Sequence, residues 1–343
     1  MELSPRKQAV LKAIVKAYIE TGEPIGSKNL MLLLENAPSS ATLRNEMSEL
    51  CELGLLHQPH TSAGRVPTSE GYRLYVDSLM SPTTLSDYSA QFIENAIETI
   101  RSEPEDIPRV TARTVSHFTG LPAISCLVTK KIPRIKRVEL LPIGKYSLML
   151  LVITDDGRTR NCVFRQGKNF TSAAEESFKD LMERRIKGKP VSELTKAYMQ
   201  TVAAESGLFA LDLLPLFTAV FETAGKIKTV DVTLSGENHL YNICGEKTAH
   251  GIVSLLGNEN LAVSLFENIE KKAEVIFGED TNYKELVNNT VVAAKFTGAE
   301  KYSGYIGVIG PNRISYEQII PLIEYTAEKL TKIMTEAQRD MED

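Results

Sequence analysis

The first eighty residues constrain this chain most, because apolar residues recur there at helical spacing four times and at strand spacing twice. Val10, Leu11, Ile14, Val15 and Tyr18 fall three and four residues apart, which puts them on one face of a helix. Ser4 is suited to cap that helix and Pro5 to occupy its first position, and Gly22 suits the left-handed residue that ends it. After a turn at residues 23–26, Ser27 is expected to cap a second helix with Leu30, Leu33 and Leu34 inward. Ser39 and Ser40 open a third, with Leu43, Met47, Leu50 and Leu53 as its buried stripe and Gly54 as its stop. Residues 55–58 and 65–67 read as two short strands around a polar turn. Thr68 or Ser69 then begins a further helix through Leu79, with Leu74, Tyr75 and Leu79 toward the interior.

Three helices followed by a two-stranded ribbon make a winged helix-turn-helix, and this order gives the exposed residues a use. A recognition helix sets its N-terminal residues against base edges in the major groove. Here that end offers Ser39, Ser40, Thr42, Arg44 and Asn45. Arg binds guanine bidentately and Asn binds adenine, while serines at a helix N-terminus can hold phosphate. The wing carries His60, Thr61, Ser62 and Arg65, the last suited to a narrow minor groove. Lys28, early in the second helix, is placed for a phosphate contact. The same fold also serves as a protein-interaction module, so the pattern alone leaves both uses open.

Charge does not settle the matter. Residues 1–80 hold eight Lys/Arg against nine Asp/Glu, and the whole chain is at −5. Phosphate binding needs local positive charge, so the case for DNA rests on placement, with Glu46, Glu49 and Glu52 expected to face away from the duplex. The four cysteines are scattered and without zinc or redox spacing, which reads as reduced thiols in a cytoplasmic protein. His57 and His60 have no partner ligands at metal spacing, and His117, His239 and His250 are isolated. No leader sequence is expected, and the run from Leu148 to Ile153 is too short for a membrane span. No nucleophile elbow, phosphate loop or metal motif points to an enzyme or a cofactor. Gly304, Gly307 and Gly310 lack the spacing of a phosphate loop, and the basic stretch 130–137 reads as a solvated face.

Beyond a polar linker at residues 81–86, a helix with Phe92, Ile93, Ala96, Ile97 and Ile100 on one face and a second helix over 109–119 are expected. Strands are expected at 124–128, 134–141, 147–154 and 159–164, with a hairpin turn at Asp155-Asp156-Gly157. Helices dominate 171–223 and 250–272. Strands return at 230–234, 273–277, 290–296 and 304–309, before a final helix from Tyr316. The sequence of elements predicts an α+β multidomain chain. Residues 1–80 are the winged helix, 87–167 and 271–343 form a sheet domain in two segments, and 168–270 is a mostly helical insertion.

The run Gln58-Pro59-His60-Thr61-Ser62-Ala63-Gly64-Arg65-Val66-Pro67-Thr68, continued by Gly71-Tyr72-Arg73 and Tyr75-Val76-Asp77, resembles the signature of the HrcA family of heat-inducible repressors. Glu23-Pro24-Ile25-Gly26-Ser27, the stretch from Ser39 to Met47, and Gly304-Tyr305-Ile306-Gly307-Val308-Ile309-Gly310-Pro311 with Ile314 and Tyr316 agree with it. The resemblance implies a homodimeric repressor of groE- and dnaK-type chaperone operons that binds double-stranded DNA at an inverted repeat called CIRCE. It implies a GAF-like sheet domain interrupted by a dimerisation domain, dependence on a GroEL-type chaperonin, and loss of activity on heating. A regulator gated by a small molecule in the GAF-like domain is the alternative.

Overall fold

The computed structural model describes residues 3–35, 37–81, 83–99, 106–144, 147–165, 171–298 and 302–342. The chain forms two compact units: Met1–Cys126 with Val232–Gly298 and Gly304–Asp343, and Leu127–Asp231 with Ala299–Ser303.

The first unit begins with helix α1 (Pro5–Thr21). Ser4 accepts a hydrogen bond from the Lys7 amide, and Gly22 closes the helix at φ 70°, as its sequence requires. Helices α2 (Ser27–Leu33) and α3 (Ser40–Glu52) follow. Strands β1 (Leu56–His57) and β2 (Val66–Pro67) pair antiparallel, Leu56 opposite Pro67 and His57 opposite Val66. Helix α4 (Ser69–Leu74), capped by Thr68, runs into a π-helical turn at Tyr75–Leu79. Three details differ from the sequence expectation. Gly26 rather than Ser27 is the α2 cap, Leu33 is 52% exposed, and Leu53 is 37% exposed. Helix α2 has only two turns and turns one apolar row inward, so Leu30 alone is buried on it.

Helices α5 (Asp87–Glu98) and α6 (Ile107–Thr119) precede strand β3 (Ala123–Thr129); Ile100 lies outside the described residues. A five-stranded sheet has the order β7-β3-β10-β9-β8, with β7 at Val230–Ser235, β8 at Glu274–Phe277, β9 at Asn289–Gly298 and β10 at Tyr302–Pro311. Strands β8 and β9 are antiparallel. Helices α10 (Glu237–Cys244), α11 (Glu246–Gly257) and α12 (Glu259–Ser264) bury Leu240, Ile252, Leu256 and Ala262 with Val291, Ala293 and Tyr305 of the sheet. The last helix, α13 (Tyr316–Glu342), packs along β9. Strand β9 is therefore covered on both faces, and most of its residues are buried. The glycines of β10 are packing residues: a methyl group at Gly304 would lie 2.2 Å from the Phe296 ring, and one at Gly307 2.8 Å from Ala293.

The second unit corrects the expected insertion. Residue 168, where the sequence reading opened it, lies outside the described residues. Strands β4 (Ile135–Gly144), β5 (Ser147–Thr154) and β6 (Thr159–Arg165) form their own antiparallel sheet, order β4-β5-β6. Leu148, Leu150 and Val152 of β5 share a core with Phe178 of α7 (Ser172–Leu181), Val202 of α8 (Lys196–Ala204) and Phe217 of α9 (Ala210–Ala224). The unit thus carries a sheet as well as helices, while residues 232–270 belong to the first unit. Near-continuous apolar runs occur in both sheets, at Leu148–Ile153 of β5 and at Val291–Ala294 of β9, so the sequence pattern could not divide them. Gly207–Ala224 is long and apolar enough to cross a membrane by length and composition, contrary to the reading taken from the run at Leu148. Its inward residues Leu213, Leu216, Phe217 and Val220 are core residues here.

Candidate nucleic-acid interface

The predicted DNA-contacting residues converge because three short links tie their elements together. The Ser27 and Ser40 hydroxyls are 2.9 Å apart and join the starts of α2 and α3. Ile25, in the turn before α2, exchanges backbone hydrogen bonds of 3.0 and 2.9 Å with Arg65 at the base of the wing. The start of α2, the start of α3 and the wing therefore lie side by side, with Lys28 exposed beside the α3 N-terminus.

The five α3 residues divide by what their side chains already do. Ser39 caps the helix, accepting from the Thr42 amide at 3.2 Å, and its hydroxyl is 2.9 Å from that of Thr42. Ser40 is engaged with Ser27. These three hydroxyls build the helix start, where a cap contributes about 1 kcal/mol. Arg44 and Asn45 are exposed one turn along, and among the described residues neither has an ion pair or a side-chain hydrogen bond. They are the two α3 candidates whose side chains are unengaged.

The wing tip is closed by its own backbone. Gln58 donates to the Thr61 carbonyl at 2.9 Å and to the Ala63 carbonyl at 3.0 Å, and the Ala63 amide donates to His60 at 2.8 Å. This leaves the side chains of His60, Thr61 and Ser62 exposed. Arg65 stands differently from its sequence assignment. It lies at the base of the wing, half-buried, with a buried Nε that has no hydrogen-bond partner.

Two glycines of the wing motif fix this geometry. A methyl group at Gly64 would lie 2.4 Å from the Ile25 carbonyl carbon, and one at Gly71 2.1 Å from the Leu55 carbonyl oxygen. Both positions are backbone crossings that only glycine fits. The sequence carried that signal in the motif, but without the fold it had no partner to name.

The neutral charge of this region is resolved on the opposite side of α3. Glu49 pairs with Lys7 of α1 at 2.6 Å, and Glu46 lies 3.7 Å from Arg6. The Lys7 ammonium titrates above its ordinary value, chiefly through its hydrogen bond to Glu49. Two acids of α3 are thus held toward α1, away from the end that presents Arg44.

Sequence reasoning missed how the winged helix is fastened to the sheet domain within its unit. Tyr75 donates to Glu317 Oε1 at 2.8 Å, Lys16 pairs with Glu317 Oε2 at 3.1 Å, and Asn312 donates to Ser69 at 3.2 Å. Arg73 pairs with Asp280 and covers the Phe277 ring at 5.0 Å, while Tyr72 lies 6.1 Å from Tyr316, ring to ring. Burial pushes the Tyr72 and Tyr316 hydroxyls well above their ordinary titration range. Burial also holds Cys126 up at about 12.

A winged helix with an exposed Arg-Asn pair at its recognition helix, fastened to a mixed sheet domain, defines a winged helix-turn-helix transcription regulator. Residues 2–78 match the family model described as a winged helix-turn-helix transcription repressor, HrcA DNA-binding, and residues 105–320 match that of the HrcA protein C-terminal domain. The chain belongs to the HrcA family, whose role is regulatory rather than enzymatic. It is 29% identical to the heat-inducible transcription repressor HrcA of Thermoanaerobacter pseudethanolicus and 27% identical to that of Syntrophobacter fumaroxidans, covering 99% of each chain in both pairs. A crystal structure of a hypothetical protein shares the fold at a TM-score of 0.69 and 22% identity, over 98% of this chain and 100% of that one.

Proposed function

We propose that this chain is a homodimeric, heat-inducible repressor that acts in the cytoplasm on groE- and dnaK-type chaperone operons. It binds a CIRCE inverted repeat, and a GroEL-type chaperonin maintains its activity. The carrying observation is that Arg44 and Asn45 stand exposed and unengaged at the start of α3, beside Lys28 and the wing residues His60, Thr61 and Ser62. Two-fold protein symmetry suits an inverted repeat, with half-sites one or more helical turns apart.

The second unit supports the dimer reading and its role as a dimerisation domain. Its sheet packs one face on α7, α8 and α9 and leaves the other face half-open, with Met149, Leu151 and Ile153 in one row and Leu141 and Val163 opposite Met149. Leu141 and Val163 are 43% and 65% exposed. A second copy on this apolar face would remove it from water. Leu151→Glu is expected to leave the fold intact and to give a monomer in sedimentation velocity; an unchanged dimer would place the interface elsewhere.

The test of function is titration of the purified chain with a duplex carrying the inverted repeat and with a scrambled duplex at fixed salt, with and without chaperonin. Repeat-dependent binding that chaperonin increases is expected. Arg44→Ala should cost about 1–3 kcal/mol and relax specificity, whereas Lys28→Ala should weaken both duplexes and lower the salt slope by about 1. Equal weak binding to both duplexes under all conditions would overturn the reading.

A further inference from the structure

The first unit contains a cavity of about 710 Å³ that the DNA-binding function does not use. Its walls come from the segment after the winged helix (Thr83 to Ser86), the end of α6, the end of α10 and the start of α13. That volume lies in the range of small-molecule sites, which are mostly apolar with a few placed polar groups. The composition narrows the chemistry. Leu85, Phe118, Leu121, Ile243, Ile314 and Leu322 supply apolar surface. Hydroxyls and amides from Thr83, Thr119, Asn242, Ser315 and Gln318 supply hydrogen bonds. The lining includes one formally charged residue, the cation Arg313, and no carboxylate. Among the described residues Arg313 has no ion-pair partner. An arginine fork with open donors is suited to bind a carboxylate bidentately.

From this we infer that the cavity is an effector site for a small amphipathic carboxylate, with the acid on Arg313 and the hydrocarbon body on the apolar wall. The position of Arg313 couples the site to the DNA-binding element. Its guanidinium stands beside the C-terminal cap of α1, where a methyl group at Gly22 would lie 3.5 Å from Nη1. The other wall is the strand of chain that leaves the winged helix, where Thr83 donates to the Glu317 carbonyl through both its amide (3.1 Å) and its hydroxyl (2.7 Å). Glu317 is also the residue that receives Tyr75 and Lys16 of the winged helix. A bound carboxylate would draw Arg313 toward the cavity and change the set of groups that hold the winged helix, so its affinity and that of DNA are linked.

The coupling to DNA rests on the proposed operator function; the binding site does not, and the test separates them. Binding of octanoate to the full chain is measured by isothermal titration and by thermal melting, with octanol and octylamine as charge controls. Octanoate should bind and raise the melting temperature, and octanol should bind about tenfold or more weakly for want of a charge-assisted bond. Octylamine should not bind. Arg313→Ala should bring octanoate down to the octanol value, and Ile243→Trp or Gln318→Trp, which fill the cavity, should abolish both. Equal binding of the three probes, or octanoate affinity unchanged in the filled variants, would overturn the site. Octanoate should also shift affinity for the repeat duplex in the parent chain and not in Arg313→Ala. Binding without that shift would overturn the coupling, and a chain that binds octanoate but no duplex would refute the operator function instead.

Discussion

Arg158 follows the hairpin turn between β5 and β6 and is 4% exposed. Its guanidinium donates to Thr129 Oγ1 and to the Lys228 carbonyl, lies 3.3 Å from Asp156 Oδ2, and stands 5.5 Å from the Tyr302 ring centre. The other oxygen of Asp156 is served by the Thr154 hydroxyl and, at 3.4 Å, the Arg158 amide. One side chain therefore joins the hairpin to Thr129, Lys228 and Tyr302 within the second unit. Arg158→Met keeps most of the aliphatic stem and removes the charge. Hydrogen bonds to charged groups contribute about 1.5–3 kcal/mol each, but the larger effect is an Asp156 carboxylate left buried without its cation. Breaking one side of a buried pair costs about 3–5 kcal/mol. With a urea slope of roughly 2 kcal/mol per molar, the midpoint should fall by about 2 M. Adding Asp156→Asn removes the stranded charge and should restore part of the loss, so the two effects are not additive. A loss below about 1 kcal/mol, or a double variant as unstable as the sum of the singles, would refute the account.

Two further outcomes are expected. Gly71→Ala drives a methyl group onto the Leu55 carbonyl, 2.1 Å away. It should destabilise the winged helix by about 1–3 kcal/mol or more and weaken repeat binding, and a variant that melts and binds like the parent would mean the crossing is looser than described. Glu317 is buried enough to favour its neutral form, yet the Tyr75 hydroxyl and Lys16 outweigh this and hold its carboxyl below the ordinary value of 4.5. A depressed carboxylate contributes stability above its unfolded pKa and loses it as pH falls through the folded value. The stability difference between the parent and Glu317→Gln should therefore be full near neutral pH and shrink below about pH 4.5; a difference that stays constant down to pH 3 would mean that Glu317 carries no linked charge.

Local sequence determined the winged helix. Ser4, Gly22, Ser39 and Thr68 each have a physical role that needs only a few neighbouring residues, and each occupies the position its chemistry predicts. The apolar stripes of α1 and α3 likewise placed Val10, Leu11, Ile14, Leu43, Met47 and Leu50 in the core. The exposure of Arg44 and Asn45 was legible for the same reason, since a helix start fixes which side chains it offers. Tertiary structure decided the rest. It engaged the Ser40 hydroxyl with that of Ser27, set Arg65 at the wing base, and paired Glu46 and Glu49 with Arg6 and Lys7. It also divided the strands between two sheets, a choice that alternation cannot encode because every strand repeats at two residues. The fastening of Ser69, Arg73 and Tyr75 to Asn312, Asp280 and Glu317 joins residues more than two hundred positions apart. Nothing in the local pattern of either segment specifies its partner; only the folded chain brings the two together.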